Sequence, residues 1–291
     1  MQCDQLVALQ FISERSLLLE NKIPRQSIAV FFAVVILLSG SVEAWYCLGG
    51  PGLLMPFLMW IPALSATFAA LTAMMVNNER FSLKLFLARL GFRRCRWKYI
   101  LLAFLIPLVY LLIPYMIYWT MHPENFAYSG VSLWRILADC LPAAILGTVV
   151  NVLTGLGEEI GWRGFLLPAL KDRLGLNRSL LIIGLFWCLW HFPLLIFGGY
   201  MEGAPLWYAL PAFVLCIFPV SVIFGIITLD CGSVWPAAFL HAAHNNYDQA
   251  ILQVITRGED MMWYVSETGV FTILCAWAIA AFLYRRYQKR Y

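Results

Sequence analysis

The chain has 291 residues, of which 62% are hydrophobic and 12% charged, with a mean hydropathy of +0.77. Soluble globular chains carry roughly 25% charged residues, so this composition leaves too little polar surface for a water-exposed fold and excludes that class. The net charge of +4 does not point to nucleic acid, because the basic residues follow a membrane-topology pattern described below. The 12 Trp are amphipathic rings of the kind that anchor helices at the headgroups. Eight cysteines are scattered singly, without CxxC or Cys/His zinc spacing, and read as small buried hydrophobes.

Residues Met1–Arg25 have mixed charge and no clear signal-peptide pattern, which reads as a retained cytoplasmic leader or an interfacial helix. Beyond them lie apolar stretches to set against the roughly 17–25 residues that a membrane-crossing helix needs. Eight are found: Ser27–Leu48, Leu53–Val76, Tyr99–Trp119, Ile136–Leu156, Ser179–Phe197, Trp207–Leu229, Val234–Ile251 and Thr268–Tyr284. The fourth is expected to run on toward Pro168, and the seventh is short and rich in His and Asn.

The basic residues give an independent check. With the N-terminus inside, eight spans put Arg15, Lys22, Arg25, Arg80, Lys84, Arg89, Arg93, Arg94, Arg96 and Lys98 in cytoplasmic segments. Lys171, Arg173, Arg178, Arg285, Arg286, Lys289 and Arg290 join them, and the outer segments hold only Arg135 and Arg257. This is the positive-inside asymmetry. The expected fold is therefore an all-α polytopic membrane protein of about eight transmembrane helices, with both termini cytoplasmic. The basic segment Arg80–Lys98 reads either as an interfacial helix on an anionic leaflet or as a plain cytoplasmic loop.

Ionisable residues inside spans are costly and mark functional candidates. The richest cluster closes the fourth span, at Gly157-Glu158-Glu159-Ile160-Gly161-Trp162-Arg163-Gly164. Residues four apart on a helix lie about 40° from each other around its axis. Glu159 and Arg163 thus share a face in the favourable acid-before-base order. Glu158 points elsewhere, keeps no local countercharge and is free to act as a general base. The plain structural reading is a pair of acids at a helix end with Arg163 snorkelling.

The fifth span places His191 about half way across, with Trp187 one turn before it on the same face. The seventh puts His241 and Asn245 one turn apart. Interhelical hydrogen bonding would also account for these polar residues. At about 1.5 Å per residue, His191, His241 and Asn245 can converge with Glu158, taken to lie near the inner end of its helix. Two histidines, a free glutamate and a carboxamide are the parts of a water-activating hydrolytic site. His244, Glu43 and Asp139 receive no assignment, and His122 falls in an outer loop.

Together these residues form a resemblance. GEEIGWRGFLLP, with EExxxR at Glu158, Glu159 and Arg163, resembles the first motif of the CPBP intramembrane endopeptidases, relatives of the type II CAAX prenyl endopeptidase. WCLWHFP resembles the second motif, FxxxH, with Trp187 in place of the usual Phe. WPAAFLHAAHNN resembles the third, HxxxN, at His241 and Asn245. With no internal repeat, low-complexity tract or linker, the chain reads as a single transmembrane domain, 1–291, and the resemblance places a catalytic core of four helices at 136–251. It further implies that Glu158 and His191 activate water, that His241 and Asn245 bind the oxyanion, and that Glu159, Arg163 and Trp187 support them.

Zinc is conceivable from a Glu/His/His set, but without HExxH no metal or other cofactor is expected. The expected partners are a peptide or small membrane-protein substrate and the lipid bilayer, in a cell membrane, bacterial inner membrane rather than endoplasmic reticulum. A non-proteolytic scaffold or bacteriocin immunity factor, and a transporter using the acids and histidines as a relay, remain as alternatives.

Overall fold

The computed structural model describes residues 23–49, 60–76 and 83–290, without the side chains of Cys47 and Leu85. Most of the expected leader lies outside the described residues, as do residues 53–59 of the second expected span and 80–82 of the basic segment. Among the described residues there is no strand. The main helices are α1 (Arg25–Cys47), α2 (Trp60–Met75), α3 (Leu83–Arg89), α4 (Trp97–Met121) and α5 (Leu133–Glu159). They continue with α6 (Leu167–Trp190), α7 (Phe192–Phe197), α8 (Leu206–Cys231), α9 (Trp235–Asn245), α10 (Met261–Tyr264) and α11 (Val270–Arg290). Each of the eight expected spans meets a helix. Five helical runs are long and apolar enough to cross a membrane, and one of these, 133–197, is 65 residues long.

That long run folds back on itself. It passes from α5 through a π-helical turn, Ile160–Leu166, into α6 and breaks at Gly175 (φ 78, ψ 171), a conformation essentially restricted to glycine. After the break the chain returns antiparallel, bringing Trp187 back to Glu158 and Phe186 back to Trp162. Glu158 sits next to last in α5, near the end of its helix as expected from the sequence, and the helical path continues beyond it through the π-helical turn and α6 to the break at Gly175.

Two expectations are refined. His191 lies within the apolar run but caps α6 at its C-terminus, because Pro193 has no N–H to continue the ladder. The basic segment is helical only over Leu83–Arg89, and the chain from Leu90 onward packs onto the bundle.

Helix α8 is the centre of the bundle: 72% of its apolar window is buried, against 33% or less in the other long runs. Around it, α5 packs on α9 and α2, while α8 packs on α6 and α11. One end of the bundle gathers the basic segments. There Arg173 donates to the Ile23 carbonyl, Arg290 pairs with Asp230 at 2.7 Å, and the Val234 amide donates to the Gly91 carbonyl at 2.9 Å. Both described chain ends thus lie on the same side of the bundle.

Close packing at the acidic motif depends on glycine. A Cβ on Gly157, Gly161 or Gly164 would run into the carbonyls of Ala63, Ala66 and Leu90 respectively. These small residues at positions i, i+4 and i+7 let α2 and the Leu90 turn lie directly on the backbone. Replacing Gly161 by Ala is expected to cost about 1–3 kcal/mol through overpacking. Gly40→Ala, in helix α1 with nothing within 4 Å, should be neutral or stabilising by up to about 1 kcal/mol. Thermal unfolding of the two variants in one detergent checks this; equal shifts would refute the packing argument.

Candidate active site

The centre of the site is a guanidinium with almost no access to solvent. Arg163, 1% exposed, projects from the π-helical turn between α5 and α6. Its Nη1 donates to Glu159 Oε1 at 2.8 Å, and its Nη2 donates to Ser221 Oγ of α8 at 3.0 Å. Its flat faces meet Trp187 and Phe224, with Cζ 4.4 and 5.1 Å from the ring centroids. A planar, weakly hydrated guanidinium suits such a stacked and hydrogen-bonded niche, which an ammonium would not fill.

Glu159 Oε1 also accepts a hydrogen bond from His241 Nδ1 at 3.0 Å. The spacing of Glu159 and Arg163 read from the sequence is therefore realised, and His241 of α9 is drawn into the same pair. Because Nδ1 is committed to Glu159, the other nitrogen of His241, Nε2, faces away from the pair and lies 3.8 Å from Glu158 Oε1.

Glu158 is held differently. Its Oε2 accepts a hydrogen bond from Trp187 Nε1 at 3.0 Å, and no cation bonds to it directly among the described residues. The Trp187 ring spans the site, edge-on to both His191 and His241 with centroids 5.6 Å away in each case. The Phe of the resembled motif could supply the ring but not this N–H. His191 Nδ1 donates to the Trp187 carbonyl at 2.7 Å, which in the neutral ring leaves Nε2 as an acceptor. Asn245, half-buried one turn beyond His241, makes none of these hydrogen bonds. Glu158, Glu159, Arg163, Trp187 and His241 thus form one contacting cluster. His191 reaches it through Trp187, and Asn245 through its place on α9.

No three His, Cys, Asp or Glu side chains among the described residues converge as a metal-ligand set.

Several residues around the site carry no pattern in the sequence. Ser221 and Phe224 complete the Arg163 niche from an otherwise apolar helix. Tyr200 lies flat beside His191, ring centroids 6.2 Å apart, and its hydroxyl donates to Glu267 at 2.7 Å. His244 has no counterpart in the resembled motif. Its Nδ1 accepts from Tyr110 and its Nε2 donates to Glu267, both at 2.8 Å. Asp248 is bound by Tyr115, Ser266 and Gln253 at 2.7–3.0 Å. This second buried network fixes the 266–268 turn and the loop carrying Tyr200 over the His191 side of the site. Asp139 is paired with Arg135 at 2.9 Å, and Glu43 is buried.

Residues 140–247 match the family described as type II CAAX prenyl endopeptidase Rce1-like, a segment that contains every residue of the cluster. A CAAX prenyl protease 2 of Methanococcus maripaludis is 28% identical over 232 residues, covering 75% of this chain and 79% of that protein.

Removing one partner of a buried ion pair strands the other charge, at a cost of about 3–5 kcal/mol. Arg163→Gln is expected to destabilise the protein by that amount. Ser221→Ala, which removes one hydrogen bond to a charged group, is expected to cost about 1–3 kcal/mol. Denaturant or thermal unfolding in detergent tests the order; an Arg163→Gln protein as stable as wild type would remove the guanidinium from its central place.

Proposed function

Because this chain is a membrane-embedded protease of the CPBP family with an Rce1-like domain over residues 140–247, we propose that Glu158 is its general base. The substrate is a membrane-associated or lipidated peptide. The observation that carries the reading is the difference between two adjacent glutamates. Glu159 is consumed by Arg163 and His241, whereas Glu158 keeps one oxygen on the Trp187 N–H and turns the other toward His241 Nε2.

In the proposed reaction Glu158 removes a proton from a water molecule as its oxygen attacks the scissile carbonyl carbon. The free Nε2 of His191 accepts the second hydrogen bond of that water and so orients it. Negative charge then develops on the carbonyl oxygen, and His241 Nε2–H and the Asn245 amide donate to it. His241 can donate there while Nδ1–H stays on Glu159 only as the imidazolium, and the Glu159 carboxylate balances that charge. When the C–N bond breaks, Glu158 returns its proton to the departing amine, leaving a carboxylate and an amine as products. Burial of the cluster among α5, α6, α8 and α9 limits water near the reacting atoms and strengthens each of these interactions.

The CAAX prenyl protease name of the archaeal relative supports a substrate whose cleaved bond lies close to a lipid-anchored residue, brought to the site from within the membrane.

Cleavage of membrane-peptide libraries by the purified chain tests the assignment. Glu158→Gln is expected to lose about 10²–10⁴-fold in rate with its unfolding midpoint preserved, and Asn245→Ala about 10²–10³-fold. A strong chelator is expected to leave the wild-type rate unchanged; chelator-sensitive cleavage would contradict the metal-free route. Full cleavage by Glu158→Gln would remove Glu158 from the role of base, and absence of cleavage by the wild-type chain across a broad library would shift the reading to a scaffold whose polar residues only hold the bundle.

A further inference from the structure

A groove away from the acids lies between α4, α8 and α11, with a volume of about 400 Å³. It opens at the end of the bundle that gathers the basic segments. Its mouth holds three cations, Lys98, Arg286 and Arg290, and one carboxylate, Asp230. That carboxylate is already engaged: Arg290 pairs with it at 2.7 Å and the Tyr99 hydroxyl donates to it at 2.9 Å. Lys98 stands 4.8 Å over the Tyr99 ring, and neither Lys98 nor Arg286 has an ion-pair partner among the described residues. The mouth therefore carries excess positive charge.

Below it the walls are apolar. Leu102, Leu105 and Val109 line one side from α4, and Ile279 and Phe282 the other from α11. Leu105 and Val109 are each 44% exposed and Phe282 is 63% exposed. From Lys98 to Val109, and from Arg290 back to Ile279, each helix runs eleven residues, or roughly 16 Å at the helical rise. The two helices thus present basic ends and apolar stems in register.

We propose that this groove is a binding site for one glycerophospholipid with an anionic headgroup. The headgroup phosphate lies against Lys98 and Arg286, and one acyl chain runs down the wall toward Val109 and Ile279. Basic pockets between helices at a membrane surface select anionic headgroups in this way. A free phosphate ion would satisfy the mouth but would leave the apolar wall bare. A substrate's lipid tail does not account for the groove, because α8 stands between it and the acids. Ser221 and Phe224 of α8 face Arg163, whereas Ile226, Ile227 and Asp230 face the groove. The proposal does not depend on the catalytic assignment.

Native mass spectrometry of the purified full-length chain tests it. Phosphatidylglycerol and phosphatidylcholine of identical acyl chains are offered in competition, with inorganic phosphate added in a separate arm. Phosphatidylglycerol is expected to be retained roughly tenfold or more over phosphatidylcholine, as two unpaired cations near one anionic headgroup provide. The Lys98→Gln/Arg286→Gln double variant should reduce that preference to within about threefold, and Leu105→Trp, which fills the wall, should lower retention of both lipids. Unfolding curves are recorded for each variant. Should Leu105→Trp not fold, the double variant, altered only at exposed positions, still decides the matter. Equal retention of the two lipids, an undiminished preference in the double variant, or displacement of the lipid by inorganic phosphate would each overturn the proposal.

Discussion

A guanidinium buried in an apolar bundle is too costly to keep without a countercharge and hydrogen-bond partners, and Arg163, of which only Nε lacks a partner, imposes that demand on the structure. The groups that meet it come from different parts of the chain: Glu159 at the end of α5, Trp187 from α6, and Ser221 and Phe224 from α8. Through Glu159 the demand extends to His241 on α9. One charge thus ties together the helices that bear the site, and the fold-back at Gly175 is what brings Trp187 within reach of it.

The chemical division between Glu158 and Glu159 follows from this. Adjacent residues on a helix point about 100° apart, so only one of the pair can face Arg163. The other is directed toward Trp187 and His241, where it is buried and accepts from the Trp187 N–H rather than from Arg163. The indole N–H of Trp187 serves both: its ring stacks on the guanidinium and its nitrogen holds the free glutamate. An arrangement in which one carboxylate is spent on structure leaves its neighbour available for proton transfer, and the neighbour is positioned by the same aromatic side chain. The glycines at 157, 161 and 164 permit it, because α2 must lie against the backbone on the opposite face for the acids to be enclosed.

Much of this was legible in the amino-acid order. The Glu159–Arg163 pair follows from a spacing of four, His241 and Asn245 from theirs, and the membrane architecture from apolar length and the placement of basic residues. What was not legible depended on tertiary context. Gly157, Gly161 and Gly164 carry no sequence signal for the close approach of α2 and the Leu90 turn, because only the fold brings those carbonyls onto them. His191 falls in an apolar stretch that reads as one span, yet Pro193 two residues later ends the helix at it. Ser221 in an apolar run, and the pairing of His244 with Glu267 from a distant turn, have no local signature, because such partners are chosen by the packing of α4, α9 and the 266–268 turn.

The most direct test of this division of labour is to measure thermal unfolding and peptide cleavage together on Glu158→Gln and Glu159→Gln. The account predicts that Glu158→Gln keeps the wild-type unfolding midpoint and loses cleavage. Glu159→Gln should lower the midpoint markedly, because it strands Arg163 and releases His241. If the two variants lost stability and activity in parallel, or if Glu159→Gln alone abolished cleavage with its midpoint intact, the assignment of structure to one glutamate and chemistry to the other would be contradicted.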